Sequence, residues 1–192
     1  VYTECMKGMP SASPIRVAVP VNLRPYFNSI TTKNFFVMVS AEFHPTKEIY
    51  TFEEVLKSVS ESLRSQISRE NLEKLFSYNV SNEKLLAARI VPLFLKNLAM
   101  RYVYTTSALA NTATVTNISV SEEYRPYVEM FHAFLAMSKG QHLKGTICSY
   151  GDTLVFSFSY DLTDTSVQRG FFRKIAADGI AVEIETNGVN YE

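Results

Sequence analysis

Tryptophan is absent from this chain, and cysteine (two), histidine (three) and glycine (seven) are scarce among its 192 residues. Each scarcity removes a class of chemistry. Cys5 and Cys148 lack a C-x-x-C spacing, so neither a disulfide scaffold nor a metal site is expected, and a reducing, cytoplasmic setting is. The glycines do not gather into a phosphate loop, and no G-x-S-x-G elbow or H-E-x-x-H helix occurs. Nor does charge of one sign prevail. Nineteen basic side chains meet nineteen acidic ones, so long-range attraction for nucleic acid or for an anionic membrane is weak. The longest apolar stretch, Leu85 to Met100, is interrupted by Arg89, Pro92 and Lys96. A membrane span needs roughly 20 mostly apolar residues, so a buried or amphipathic helix is expected there instead.

The three histidines test most catalytic schemes directly. His44 precedes Pro45 in a turn between a strand and a helix and is read as a solvated loop residue. His132 lies among Phe131 and Phe134, where packed and exposed positions are equally compatible. His142 stands at the mouth of a hairpin, on the surface. Cys148 lies mid-strand without an adjacent base, so it reads as an apolar filler rather than a hydrolase nucleophile. Glu53–Glu54, Glu122–Glu123, Glu183 and Glu185 read as caps or solvated faces. The aromatic residues fall at core periodicities and do not form a stacking platform for bases.

What is present is an alternation of strand and helix signals. Residues 1–14, rich in Gly, Pro and Ser, read as a linker, and residues 15–192 as a single lobe. Ile15, Val17, Val19 and Val21 alternate as one strand, and Phe35 to Phe43 as a second, separated by a turn-rich loop from Arg24 to Lys33. Thr51 and Glu54 have capping-box spacing ahead of an apolar stripe of Phe52, Val55, Leu56, Val59, Leu63 and Ile67. Arg69 to Ala110 reads as further helix, broken near Tyr78–Ser81 and restarted at Pro92. Thr112 to Val120 reads as a strand, and Val128 to Met137 as a strand or a short helix. A hairpin of Leu143–Tyr150 and Thr153–Asp161 is expected to turn at Gly151–Asp152. Asp164 then caps a helix that Gly179 ends, and Ile180, Val182 and Ile184 suggest a last strand. The order predicts an α+β fold, a mixed sheet covered by helices.

One stretch is more distinctive. Val19-Pro20-Val21-Asn22-Leu23-Arg24, followed after a loop by Asn34-Phe35-Phe36, resembles the opening of the second lobe in the chloramphenicol-acetyltransferase-like superfamily. That superfamily includes CoA-dependent acyltransferases, alcohol acetyltransferases and the condensation domains of peptide synthetases. Thr114-Val115-Thr116-Asn117-Ile118 resembles its channel-bordering strand, with Ser119 where a glycine is often found. The resemblance implies a transferase that moves an acyl group from acyl-CoA or an acyl-carrier thioester to an alcohol or amine. It implies a co-substrate but no tightly bound cofactor.

The family's general base is the histidine of an H-x-x-x-D motif in the first lobe, and no such motif occurs here. It is therefore expected upstream, and the start at Val1 rather than Met fits an excised segment. Arg24 corresponds to the arginine that pairs with that motif's aspartate; Asn34, Thr116 and Asn117 correspond to channel-bordering positions. The implied partners are an N-terminal acyltransferase lobe and small-molecule acyl donors and acceptors, and a homo-oligomer is compatible. The competing reading is a binding or assembly module of the same fold with no chemistry of its own.

Overall fold

A computed structural model describes residues 1, 5–46, 49–84, 91–119, 124–129 and 131–187. Five strands form one mixed sheet: β1 (Ile15–Asn22), β2 (Phe36–Phe43), β3 (Ala113–Ser119), β4 (Leu143–Tyr150) and β5 (Thr153–Tyr160). Their spatial order is β2-β1-β3-β4-β5. β1, β3 and β4 run parallel, while β2 and β5 are antiparallel outer strands. The α+β expectation is met at this level.

Register explains where the core lies. Val19 faces Val39 and Val21 faces Val37. These side chains meet Leu63 of α2 (Phe52–Gln66), Ile67 at its C-cap, and Leu72 and Phe76 of α3 (Arg69–Lys84), around the fully buried Leu23 and Leu72. The same face continues through Val115 and Gly145 to Phe158. There Phe156 and Phe158 stack with Phe171 and Phe172 of α5 (Ser166–Ala177), at centroid separations of 4.4–5.7 Å. Helices therefore cover one face of the sheet. The opposite face has small and hydroxyl residues at its buried centre, Ala18, Thr146, Cys148 and Ser157, with Phe36 and Met38 exposed towards β2.

Local signals account for most boundaries. The Thr51 hydroxyl accepts from the Glu54 N–H while the Glu54 carboxylate accepts from the Thr51 N–H, completing the expected capping box. Gly151 turns the β4–β5 hairpin with φ +55°, and Gly179 ends α5 with φ +84°. Beyond it the Ile180 N–H reaches the Ile175 carbonyl and the Gly179 N–H the Ala176 carbonyl, a Schellman closure. The outer edge of β2 is closed by a side chain. Gln66 accepts from the Ser40 N–H at 3.2 Å and donates to the Ser40 carbonyl at 2.7 Å, as a neighbouring strand would. Ser62 likewise accepts from the Glu42 N–H. Edge strands left uncovered invite pairing with other chains, and α2 prevents this.

Several expectations are corrected. The loop after Arg24 begins with a helical turn, α1 (Arg24–Phe27), which Pro25 favours at its start. α3 runs unbroken through Tyr78–Ser81, because the poor helix formers there cost only fractions of a kcal/mol each. The expected restart is present: Pro92 precedes α4 (Leu93–Ala110). Phe52 and Leu56 of the α2 stripe are exposed, since only the carboxyl half of that helix reaches the core. Residues 128–137 form neither strand nor α-helix across their described part. A 3₁₀ turn (Arg125–Tyr127) precedes them, and from Phe131 to Met137 inward and outward side chains alternate without a ladder. Residues 180–187 also join no ladder, so the last expected strand does not form among the described residues. Glu122–Glu123, Val120 and 85–90 lie outside the described residues.

α4 is apolar around its circumference yet packs against little. Leu93, Phe94, Leu98 and Tyr102 are 67–72% exposed. The chain's accessible surface is 14562 Å², against about 9,200 Å² expected for a compact monomer of its mass. No helix among the described residues is long and apolar enough to cross a membrane.

Candidate functional site

The sheet changes its winding between β1 and β3. From β1 the chain turns outward to β2, whereas from β3 it proceeds the other way to β4. Pairing between β1 and β3 covers only Val17–Ala113 and Ala18–Thr114, while β3 and β4 stay paired as far as Ser119–Ser149. The sheet thus opens towards the carboxyl ends of its parallel strands. Such a switch point is where open sheets commonly receive ligands, because the chain diverges and leaves a crevice.

The residues singled out from the sequence gather on this edge. Arg24 follows the end of β1, Asn34 precedes β2 on the same side, and Thr116 and Asn117 lie in the carboxyl half of β3. Arg24 is half-buried and organised. Its Nε donates to the Thr31 carbonyl at 2.8 Å, Nη2 to the Lys33 carbonyl at 2.6 Å and Nη1 to the Asn22 side chain at 3.2 Å. The Leu23 N–H bonds the Phe35 carbonyl at the base of the same loop. The guanidinium therefore closes residues 24–35 upon itself. Of its five N–H groups, two remain to meet a carboxylate.

Thr116 and Asn117 diverge, as neighbours in a strand must. Thr116 belongs to a cross-strand row with Thr146 and Ser157 on the face away from the helices. Thr146 is 1% exposed, so this row extends a hydroxyl-bearing surface inward from Thr116. Asn117 turns to the helical face in register with Ile147 and Phe156, and it is exposed. Asn34 is exposed in its loop. Thr146 and Ser157 were not singled out from the sequence; the hairpin register aligned with the β3 strand would have found them.

His44, His142 and Asp164 lie away from this edge. His44 is exposed, with Nε2 at 3.5 Å from Glu42, which also receives Arg16 at 2.9 Å. His132 is exposed and stands 4.0 Å from Glu185. His142 is at the surface as expected, but its Nδ1 sits 2.9 Å from Asp161 Oδ1. Asp164 is not the N-cap expected for α5; Thr165 holds that position and makes no side-chain capping bond. Asp164 accepts from the Ser166 N–H and hydroxyl, both at 2.9 Å, and those bonds, in that order, hold its carboxyl below the ordinary carboxylate range, with Arg169 adding a smaller pull. Cys148 is 1% exposed in β4, as a filler should be. No group of three metal-ligating side chains occurs among the described residues. No protein-family model, curated protein or solved structure matches the chain.

Proposed function

We propose that this chain is the second lobe of an acyltransferase resembling the chloramphenicol-acetyltransferase-like superfamily. In this reading an acyl group passes from acyl-CoA or an acyl-carrier thioester to an alcohol or amine. The observation that carries it is the shared location of Arg24, Asn34, Thr116 and Asn117 at the carboxyl edge where β1 and β3 part, with Thr116 and Asn117 on opposite faces of the sheet. These positions span nearly a hundred residues of chain.

The chemistry divides between two lobes. A histidine of the preceding lobe takes the acceptor's proton as its oxygen or nitrogen attacks the thioester carbonyl. The Thr116 hydroxyl is suited to donate to the oxyanion that forms. The thiolate then leaves and recovers the proton. Arg24, with two N–H groups still to be used, pairs with the aspartate of the histidine loop and fixes that loop from outside the reaction. The exposed apolar surface of α4 and the large accessible area support a chain that buries more surface against a partner lobe.

The test is the protein sequence encoded ahead of Val1. A lobe carrying H-x-x-x-D is the expected finding, and the joined protein should release thiol from acetyl-CoA in the presence of an alcohol or amine. His→Ala in that motif should stop the release. A preceding segment with no such histidine overturns the enzyme reading and leaves a binding or assembly module of the same fold.

A further inference from the structure

The two edges of the sheet are finished differently. At β2, Gln66 and Ser62 take up outward backbone groups. At β5, the other outer strand, no hydrogen bond from another element reaches the outward side among the described residues. Thr153–Tyr160 contains no charged residue, proline or glycine, and it follows β4 residue for residue without a bulge. Charge, proline and bulges are the usual means of keeping an edge from pairing, and β5 has none of them.

Register fixes which groups face outward. The Asp161 N–H bonds the His142 carbonyl, so these two residues form a hydrogen-bonded pair. Such pairs alternate along an antiparallel ladder. Thr153, Val155, Ser157 and Ser159 therefore direct their backbone groups to β4, while Leu154, Phe156, Phe158 and Tyr160 turn theirs outward.

We propose that β5 pairs antiparallel with β5 of a second copy of this chain, about a two-fold axis at Ser157, so that two sheets become one. The strand is self-complementary in this register. Phe156 meets Phe158 of the second copy and Leu154 meets Tyr160, so every outward residue gains a partner. A shift by two residues puts Leu154 or Tyr160 beyond the end of the facing strand. Leu154 and Tyr160 share the helical face and are 69% and 36% exposed, so their contact covers apolar surface that the single chain leaves wet. Asp152 and Asp161, which flank the strand, stand opposite Leu162 and Thr153 rather than each other. The paired length is about 27 Å, with about eight backbone hydrogen bonds across it. One strand pair is small beside the roughly 800 Å² per partner of a stable complex, so association is reversible. The interface shares no residue with the carboxyl-edge site and stands independently of it.

The test is sedimentation of the chain from about 1 μM to about 100 μM, with hydrogen exchange at both limits. Mass should rise from 21.7 kDa towards twice that value. The Phe156 and Phe158 amides should gain at least about ten-fold protection on association, while those of Val155 and Ser157, already bonded to β4, should not change. Leu154→Lys should raise the dissociation constant at least about ten-fold, because an ammonium then enters the paired edge. Circular dichroism should stay the same, since Leu154 is exposed. Leu98→Glu, on the exposed surface of α4, should leave the dimer intact. A chain that stays monomeric throughout the range overturns the proposal. So does association that leaves the Phe156 and Phe158 amides unprotected, or that Leu98→Glu abolishes and Leu154→Lys does not.

Discussion

Replacing Arg24 with alanine should loosen the 24–35 loop well before it threatens the sheet. The side chain makes two hydrogen bonds to backbone carbonyls, at 2.8 and 2.6 Å, and a longer one to Asn22. A hydrogen bond contributes about 0.5–1.5 kcal/mol net, more when charged, but Arg24 is only half-buried and water can replace it at both carbonyls. The expected loss is therefore about 1–3 kcal/mol. In a domain of this size each kcal/mol moves the melting point by roughly 2–4 °C, so Tm should fall by about 2–12 °C. Arg24→Lys should recover no more than half of the loss, because one ammonium cannot span two carbonyls held by a planar fork. Thermal unfolding by circular dichroism reads the total. Hydrogen exchange reads the location: amides of 29–35 should lose protection while those of β4 and β5 keep theirs. An Arg24→Ala chain that melts like the parent, with the loop equally protected, would refute the clamp and with it the claim that this arginine is pre-positioned for a carboxylate.

Three further expectations follow from other parts of the molecule. Gln66→Ala removes both bonds to Ser40 and should destabilise the chain by about 1–3 kcal/mol, with faster exchange at the Ser40 amide. Self-association should also rise on light scattering, since the β2 edge is then open. Gly145→Ala would bring a methyl group to 3.0 Å from the Phe156 ring and 3.4 Å from Val115. That ring is held by Phe158 and Phe171, so overpacking should outweigh the gain in chain stiffness and lower stability by about 1 kcal/mol in denaturant titration. The carboxyl of Asp164 is depressed in the folded chain by its bonds to Ser166, so its contribution is present above the unfolded value and disappears as pH falls through the folded one. The amides at the start of α5 should therefore lose exchange protection below about pH 4, and Asp164→Ala should abolish that dependence.

Local rules made much of the fold legible. The Thr51–Glu54 capping box, the β4–β5 hairpin and the glycine stop after α5 each depend on residues close in sequence, and each is present. The hairpin register carried more than was taken from it. Counting outward from Gly151–Asp152 pairs His142 with Asp161, a contact between residues that otherwise look like separate surface groups. Periodicity misled at Ile180–Ile184, because alternation makes a segment suitable for a ladder without supplying a neighbour for it. The capture of Ser40 by Gln66 was invisible for another reason: a glutamine on a helix face gives no sign that a strand edge lies opposite. At the carboxyl edge Arg24 and Thr116 were chosen by resemblance, but the opening between β1 and β3 depends on which strands are neighbours, and no local pattern encodes that.

The junction between β1 and β3 also governs how the chain can fold. Arg16 and Thr112 exchange hydrogen bonds across a separation of 96 residues, so the centre of the sheet is its least local part. The β1–β2 ribbon with α2 and α3 can form from the first part of the chain, and β4–β5 with α5 from the last. During synthesis, about 70 residues separate the end of β2 from the start of β3, which at roughly 5–20 residues per second leaves β1 waiting about 4–14 seconds for its partner. Once its bonds to Ser40 are made, Gln66 shields the ribbon on one side, while the valine-rich inner edge stays open. The late joining of these halves is expected to limit the folding rate, and the waiting ribbon is the species most in need of a chaperone.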